Sequence, residues 1–232
     1  MAKAFSSSAG VICWSCQKAA GDGMVCLHCQ AVQPPDVKAN YFRVFGIPAQ
    51  FEVDSAQLEQ RHKDMTKVLH PDRFARADAQ ARRASLERSV QLNEAWQTLK
   101  DPVRRAEYLL TLHGIDVGET AGVRKPGQSG EHATVPVPQT LLMEVLELRE
   151  ALSEAHAAKD LQATEALIGK VRGRLATVME DVAKGFRASP PELEANATRL
   201  VTVRYYRRFL EEARILWEEA PPLPRGRGAD AG

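Results

Sequence analysis

Residues 67–74 read KVLHPDRF, and the tripeptide His70-Pro71-Asp72 within them determines how the surrounding chain folds. A proline disfavours the α conformation at the residue before it, so a helix that reaches this point must end at His70. The residues upstream have helical spacing, and the predicted buried stripe consists of Leu58, His62, Met65 and Leu69. The tripeptide is therefore predicted to occupy an exposed corner at the end of an amphipathic helix.

Two further helices are predicted after this corner. The first begins after Ala75 and runs to about Leu99, where Asp101-Pro102 stops it, and a shorter helix follows. The helices on either side of the corner would form an antiparallel hairpin. The basic residues that border the corner are Lys63, Lys67 and Arg73. Exposed lysines alone are most simply a solvated helix face, but beside this corner they indicate a docking surface.

An enzymatic role for the corner is the first alternative. His70 and Asp72 are spaced so that the carboxylate could orient the imidazole as a general base. The neighbouring sequence, however, contains no evident nucleophile, oxyanion donors or glycine-rich phosphate loop. The corner is therefore interpreted as a binding surface, and the chain is predicted not to be an enzyme.

All four cysteines lie near the N-terminus as two C-x-x-C pairs: Cys13 with Cys16, and Cys26 with Cys29. Each pair can place two thiolates on one metal through a tight turn, and two pairs complete a tetrahedral site. Gly21 and Gly23 lie between the pairs, where positive φ is expected. Such a short module has almost no core, so metal binding would supply most of its folding free energy. Structural Zn²⁺ is the predicted cofactor.

The cysteine pattern has three alternative interpretations: disulfides, a redox pair and a rubredoxin-like iron site. Disulfides are rare in the cytosol, and redox C-x-x-C motifs usually begin a helix in a βαβ unit, which this sequence lacks. His28 is interpreted as a solvent-facing residue rather than a further ligand.

The composition excludes several broad classes of protein. The 232 residues include 31 Lys and Arg against 30 Asp and Glu, so no global positive field favours nucleic acid. No apolar run approaches the ~18 residues that a membrane span needs. The N-terminal segment lacks the pattern of a signal peptide, so a cytoplasmic protein is predicted.

The fold class is predicted to be all-α: a small cysteine module, a helical hairpin and a C-terminal three-helix bundle. Residues 118–136 are polar and rich in Gly and Pro, as in a flexible linker, and the last residues resemble a disordered tail. The predicted divisions are 1–35 (zinc module), 40–117 (hairpin domain), 118–136 (linker), 137–219 (bundle) and 220–232 (tail).

The first bundle helix carries two apolar sets of residues. One set forms a narrow core stripe at Leu141, Val145, Leu148 and Leu152. The other set lies on a different flank and is surrounded by acidic residues: Leu142, Met143 and Leu146, with Glu147, Glu150 and Glu154. A wide core stripe with a polar margin would explain this pattern, but a protein-binding surface with adaptable Met and Leu anchors explains it better.

Several stretches resemble a J-domain, the unit that stimulates ATP hydrolysis by DnaK-type chaperones. They are YFRVFGIP (41–48), KVLHPDRF (67–74), and LNEAWQTLKDPVRRAEYLL with its following LHGID (92–116). Trp96 and the LHG ending make the chain more similar to the HscB family of iron–sulfur cluster assembly than to general J-proteins. The run LLMEVLELREAL (141–152) is similar to the family's segment that binds the scaffold protein IscU.

This resemblance implies a co-chaperone that binds an IscU-type scaffold and delivers it to a DnaK/HscA-type chaperone. It implies that Asp72 engages an arginine of the chaperone, and that the lysine face meets an acidic patch. It places the scaffold contacts at Leu142, Met143, Leu146, Glu147 and Glu150, with Glu154 extending them and Tyr205 standing where relatives carry Phe. The alternative is a general J-protein for unfolded clients; a zinc-dependent nucleic-acid or redox module is a further rival.

Overall fold

The computed structural model describes residues 11–21, 23–36, 38–117 and 137–218. Within these ranges the regular elements are helical, and strand-like pairing is limited to isolated bridges between Ile12 and Ala19 and between Val25 and Val32. This confirms the all-α prediction. The helices are α1 (Tyr41–Val44), α2 (Ser55–Leu69), α3 (Ala79–Lys100), α4 (Pro102–Leu112), α5 (Gln139–Ala157), α6 (Leu161–Arg187) and α7 (Leu193–Glu218).

The chain divides into two units, one ending at Tyr108 and the other beginning at Leu109. The first unit contains the cysteine module together with α1, α2 and α3. The predicted linker (118–136) and tail (220–232) lie outside the described residues, as does the first part of the predicted zinc module. The predicted domain boundaries therefore stay predictions.

In the first unit α1, α2 and the corner after α2 all pack on α3. Helix α2 begins where Asp54 caps it: one carboxylate oxygen accepts a hydrogen bond of 3.0 Å from the Gln57 amide. It ends at Leu69, because His70 before the proline takes φ −56° and ψ 125°. The predicted end of this helix is confirmed.

The start of α3 differs from the prediction. Residues Pro71–Phe74 form a short 3-10 turn, and α3 begins only at Ala79 rather than after Ala75. Asp78 explains the later start, since its carboxylate accepts a hydrogen bond of 2.7 Å from the Ala81 amide and so caps the helix there. The corner is therefore a turn of its own.

The predicted buried stripe of α2 is only partly buried. Leu58 and Leu69 are 2% and 1% exposed, whereas His62 and Met65 are half-buried. The imidazole of His62 stacks on the Trp96 ring, with 4.7 Å between the centroids. The two partly exposed residues therefore lie at the edge of the interface with α3.

The second unit is the predicted three-helix bundle, in which α5 packs on α6 and α7 and the latter two pack on each other. The predicted core stripe of α5 is buried at all four positions: Leu141, Val145, Leu148 and Leu152. Between α6 and α7, a Cβ atom at Gly185 would clash with the Asn196 side-chain oxygen, so glycine permits the close approach. None of the described helices has the length and apolar character to cross a membrane.

Candidate functional site

The His70-Pro71-Asp72 corner presents its charged groups to solvent. The side chain of Asp72 is 90% exposed and that of His70 is 53% exposed. The Asp72 amide donates to Nδ1 of His70 at 3.3 Å, and the Asp72 carboxylate lies 3.6 Å from the same nitrogen. The carboxylate is thus available to a cation on a partner protein.

Two serines of α3 hold the corner from behind. The carbonyl oxygen of Leu69 accepts hydrogen bonds from the Ser85 hydroxyl at 2.7 Å and the Ser89 hydroxyl at 3.1 Å. The helix ends here, so no helical amide reaches the Leu69 carbonyl and the two hydroxyls satisfy it instead. Arg73 adds a hydrogen bond to the Lys67 carbonyl at 3.1 Å. These serines were not among the residues predicted from the sequence.

The lysines beside the corner are exposed and paired within α2. Lys63 Nζ lies 2.6 Å from a Glu59 carboxylate oxygen, and Lys67 Nζ lies 3.4 Å from Asp64. The hydrogen bond from Lys63 lowers the pKa of Glu59. Because such exposed pairs contribute little stability, both lysines can turn to a partner at small cost.

The second apolar set of α5 is exposed, unlike the core stripe of the same helix. Leu142 is 45% exposed, and Met143 and Leu146 are each 59% exposed. Leu142 and Leu146 are one helical turn apart, which places their side chains side by side. The acidic residues that continue the same face are also exposed: Glu147, Glu150 and Glu154. We call this set of six residues the α5 patch.

A polar contact among the three bundle helices fixes the rotation of α5. The Glu144 carboxylate accepts hydrogen bonds from Arg174 of α6 and from the Tyr206 hydroxyl of α7, the latter at 2.7 Å. Burial and the bond to Glu144 raise the pKa of Tyr206 to about 12. The neighbouring Tyr205, predicted to contact the scaffold, is half-buried on α7. The prediction from sequence did not include this polar contact.

The cysteine module consists of two similar turns, one at Cys13 and Cys16 and one at Cys26 and Cys29, which we call knuckles. The amide two residues after the first cysteine donates to its sulfur: Ser15 to Cys13 and His28 to Cys26, both at 3.4 Å. The residue after each pair adopts positive φ, 59° at Gln17 and 61° at Gln30. In the loop between the knuckles Gly21 has φ +82°, which confirms the positive φ predicted there.

The sulfur positions fit a tetrahedral metal. All four Sγ atoms lie within 4.8 Å of one another. Cys13 and Cys29 are 3.6 Å apart and Cys16 and Cys26 are 3.7 Å apart, sulfur to sulfur. A metal with four bonds of about 2.3 Å would separate its sulfurs by about 3.8 Å. The four cysteines are free thiols rather than disulfides, so the donor set suits a thiophilic metal ion.

The environment favours the thiolate form that a metal requires at Cys13 but not at Cys16. Although a hydrogen bond from the Lys18 amide lowers the pKa of Cys16, burial and the side chains of the other three cysteines raise it to about 11. Burial raises the pKa of Cys13, but hydrogen bonds from the Cys16 and Ser15 amides outweigh it and lower the pKa to about 6. Metal binding at neutral pH therefore needs little further deprotonation at this ligand.

Comparison with known proteins agrees with both halves of the chain. Residues 40–108 match the family described as DnaJ domain, and residues 137–214 match the HSCB C-terminal oligomerisation domain. An Arabidopsis thaliana protein named iron-sulfur cluster co-chaperone protein HscB homolog is 31% identical over 210 residues, which is 90% of this chain and 76% of that protein. The chain belongs to the HscB family of co-chaperones.

Solved structures of this family have the same fold. The crystal structure of human co-chaperone HscB matches with a TM-score of 0.71 and 26% identity, covering 88% of this chain and 96% of that one. Chaperone HscB from Vibrio cholerae matches with a TM-score of 0.65 and 31% identity, covering 78% and 98%. Jac1 from Saccharomyces cerevisiae shares the fold, with a TM-score of 0.57 and 21% identity, covering 82% of this chain and 99% of that one. The resemblance inferred from the sequence is confirmed.

Proposed function

We propose that this HscB-family co-chaperone binds an IscU-type iron–sulfur scaffold through the α5 patch and delivers it to a DnaK/HscA-type chaperone. The observation that carries this proposal is the exposure of Leu142, Met143 and Leu146 on a helix whose core stripe lies elsewhere. An exposed apolar cluster with a polar margin is typical of a protein-binding site. The partner that covers the α5 patch is assigned as an iron–sulfur scaffold because the family acts in iron–sulfur cluster assembly.

The chaperone contact is proposed at the corner. A carboxylate as exposed as that of Asp72 can form a charge-assisted, bidentate hydrogen bond with an arginine of the chaperone. Lys63, Lys67 and Arg73 would then face acidic groups, which affects orientation and association rate more than affinity. The co-chaperone itself performs no bond chemistry in this scheme, since the hydrolysed ATP is bound by the chaperone.

The scaffold contact is proposed to combine two kinds of recognition. Met143 and the two leucines bury apolar surface and can adjust to the partner's shape. Glu147, Glu150 and Glu154 select a basic rim around the apolar contact. Tyr205 is proposed to add an aromatic contact from α7.

The metal is proposed to be Zn²⁺ in a structural role, held by Cys13, Cys16, Cys26 and Cys29. Bound zinc would supply folding free energy to a module with little core. Four protein ligands leave no open coordination position for catalysis. The cytoplasmic location and the absence of enzymatic activity stay predictions from the sequence.

Calorimetry with a purified IscU-type scaffold tests the scaffold assignment. Truncating Leu142 and Leu146 together to alanine should weaken binding about 10- to 100-fold, because exposed anchors at an interface centre carry most of its energy. The matched control is Leu86→Ala with Val90→Ala, an equally spaced pair on α3 that is 56% and 50% exposed. Unchanged affinity in the α5 variant would contradict the proposal. Competition by an unfolded client peptide would favour the general J-protein instead.

A further inference from the structure

We propose that Gln33 controls how tightly the cysteine site retains its metal, and that Arg88 couples metal retention to docking of the cysteine module on α3. This inference rests on metal binding by the four cysteines, as proposed above. Gln33 and Arg88 are not metal ligands, and the spacing of the cysteines does not indicate their contacts with the site.

The side chain of Gln33 lies against a metal ligand. It is 3% exposed, and its amide nitrogen donates to the Cys13 sulfur at 3.3 Å and to the Ala31 carbonyl at 2.8 Å. Both donor hydrogens are therefore used. The amide oxygen is buried with no hydrogen-bond partner among the described residues. A residue that leaves a buried oxygen unpaired needs a compensating role, and the bond to sulfur is the evident one.

A metal site built from four thiolates needs such donors. Four thiolates on a divalent ion carry a net charge of −2, and Cys13 and Cys26 are completely buried. Hydrogen bonds to sulfur spread this charge and orient the ligand. Each knuckle supplies backbone amides to the sulfur of its first cysteine, but Cys13 receives the Gln33 side-chain amide in addition. The Cys13 thiolate is therefore the best stabilised of the buried pair.

The backbone of the same residue is held by α3. Arg88 donates from Nε to the Gln33 carbonyl at 2.8 Å and from a terminal nitrogen to the Pro34 carbonyl at 2.9 Å. Gln91, on the next turn of α3, donates to the Asp36 carbonyl at 3.2 Å. This α3 clamp fixes the segment that carries Gln33, so it also fixes the distance from the Gln33 amide to the Cys13 sulfur.

Thermodynamic linkage makes the effect reciprocal. If metal binding orders the Gln33 side chain and the clamp orders the Gln33 backbone, each event favours the other by the same factor. The hydrogen bonds of Arg88 among the described residues go to Gln33, Pro34 and Gln91 rather than to a cysteine, yet Arg88 should affect metal affinity. A clamp that only attached the module would leave the metal site unchanged.

The test measures Zn²⁺ affinity of the full chain by competition with a chromogenic chelator. Gln33→Leu should weaken affinity by about 10-fold, the lower end of the effect of losing an outer hydrogen-bond partner of a metal ligand. Gln33→Glu keeps the size but places a carboxylate at the sulfur, so it should weaken affinity further. Gln97→Leu, an exposed position on α3, is the control and should have no effect.

Arg88→Ala should also weaken Zn²⁺ affinity, whereas Arg83→Ala, whose side chain is 80% exposed and paired with Glu87, should not. The double variant Gln33→Leu with Arg88→Ala should lose less affinity than the product of the two single effects, because both act through one residue.

The Co²⁺ spectrum of each variant should remain that of four thiolate ligands. Wild-type affinity in the Gln33 variants, or an Arg88→Ala variant with unchanged affinity, would overturn the proposal. If the wild-type chain binds neither Zn²⁺ nor Co²⁺, the metal assignment itself fails.

Discussion

The His70-Pro71-Asp72 corner and the α5 patch are both exposed surfaces positioned by polar contacts, but they differ in chemistry and in backbone conformation. The corner is charged and leaves the helical conformation, so it depends on where α2 ends. The patch is mainly apolar and lies on a regular helix, so it depends on how α5 is rotated. Behind the corner, two serine hydroxyls bond to the Leu69 carbonyl. Behind the patch, the Glu144 carboxylate joins α6 and α7. Polar contacts behind each surface therefore position groups that themselves remain exposed.

The largest expected effect is that of a substitution in the corner itself. Asp72→Asn keeps the shape but removes the charge that a chaperone arginine would bind, at a cost of about 2–5 kcal/mol in the contact. Stimulation of the chaperone's ATPase should be lost, as measured by steady-state phosphate release. The urea unfolding midpoint should not change, because the carboxylate is in solvent.

The matched control for that variant is Asp64→Asn, an exposed carboxylate on α2 that also lies beside the lysines. Its stimulation should remain close to wild type. Stimulation that survives in Asp72→Asn would place the chaperone contact elsewhere on the chain.

The second prediction concerns the support behind the corner. Ser85→Ala with Ser89→Ala removes both hydroxyl donors from the Leu69 carbonyl and should cost about 1–3 kcal/mol of stability. The maximal ATPase stimulation should fall as well, since the end of α2 would no longer hold one conformation. Urea unfolding and chaperone assays check the two effects together.

Ser153→Ala, exposed on α5, serves as the comparison for the serine variants. A double serine variant with reduced stability and full maximal stimulation would show that the serines stabilise the fold without orienting the corner.

The smallest expected effect concerns the support behind the patch and depends on pH. The pKa of Tyr206 is raised to about 12, above the value of about 10 for an unfolded tyrosine. Its contribution to stability is therefore present below pH ~10 and is lost as pH rises towards 12. Tyr206→Phe should lose about 1 kcal/mol at pH 8, where the hydrogen bond to Glu144 exists.

Urea unfolding of the wild type and Tyr206→Phe from pH 8 to pH 11.5 checks this. The difference between the two proteins should shrink above pH 10. A difference that stays constant across this range would show that the Tyr206 hydroxyl does not titrate with folding.

Local patterns predicted the exposed surfaces because their signals lie within one helix or one turn. Pro71 fixes the end of α2, and the helical spacing of Leu142 and Leu146 separates them from the core stripe. The family resemblance then linked both surfaces to partners. Such local signals also predicted the three-helix bundle that α5, α6 and α7 form.

The supports could not be predicted in the same way because they join residues far apart in the chain. Nothing local distinguishes Ser85 from another helical serine until the Leu69 carbonyl is placed beside it. The same is true of Gln33 and Arg88, which lie 55 positions apart. The late start of α3 has a local cause in the Asp78 cap, which the prediction of a helix directly after Ala75 did not include.

If the proposed function is right, one chain must carry both surfaces to couple scaffold and chaperone. The most direct measurement is the ATPase rate of a DnaK/HscA-type chaperone in the presence of the scaffold and a mixture of two variants. One variant is Asp72→Asn, and the other is Leu142→Ala with Leu146→Ala. Wild-type protein should stimulate more strongly with scaffold than without it, and the mixture should not restore that gain. A mixture that restores the wild-type rate would contradict the account, because the two surfaces could then act on separate molecules.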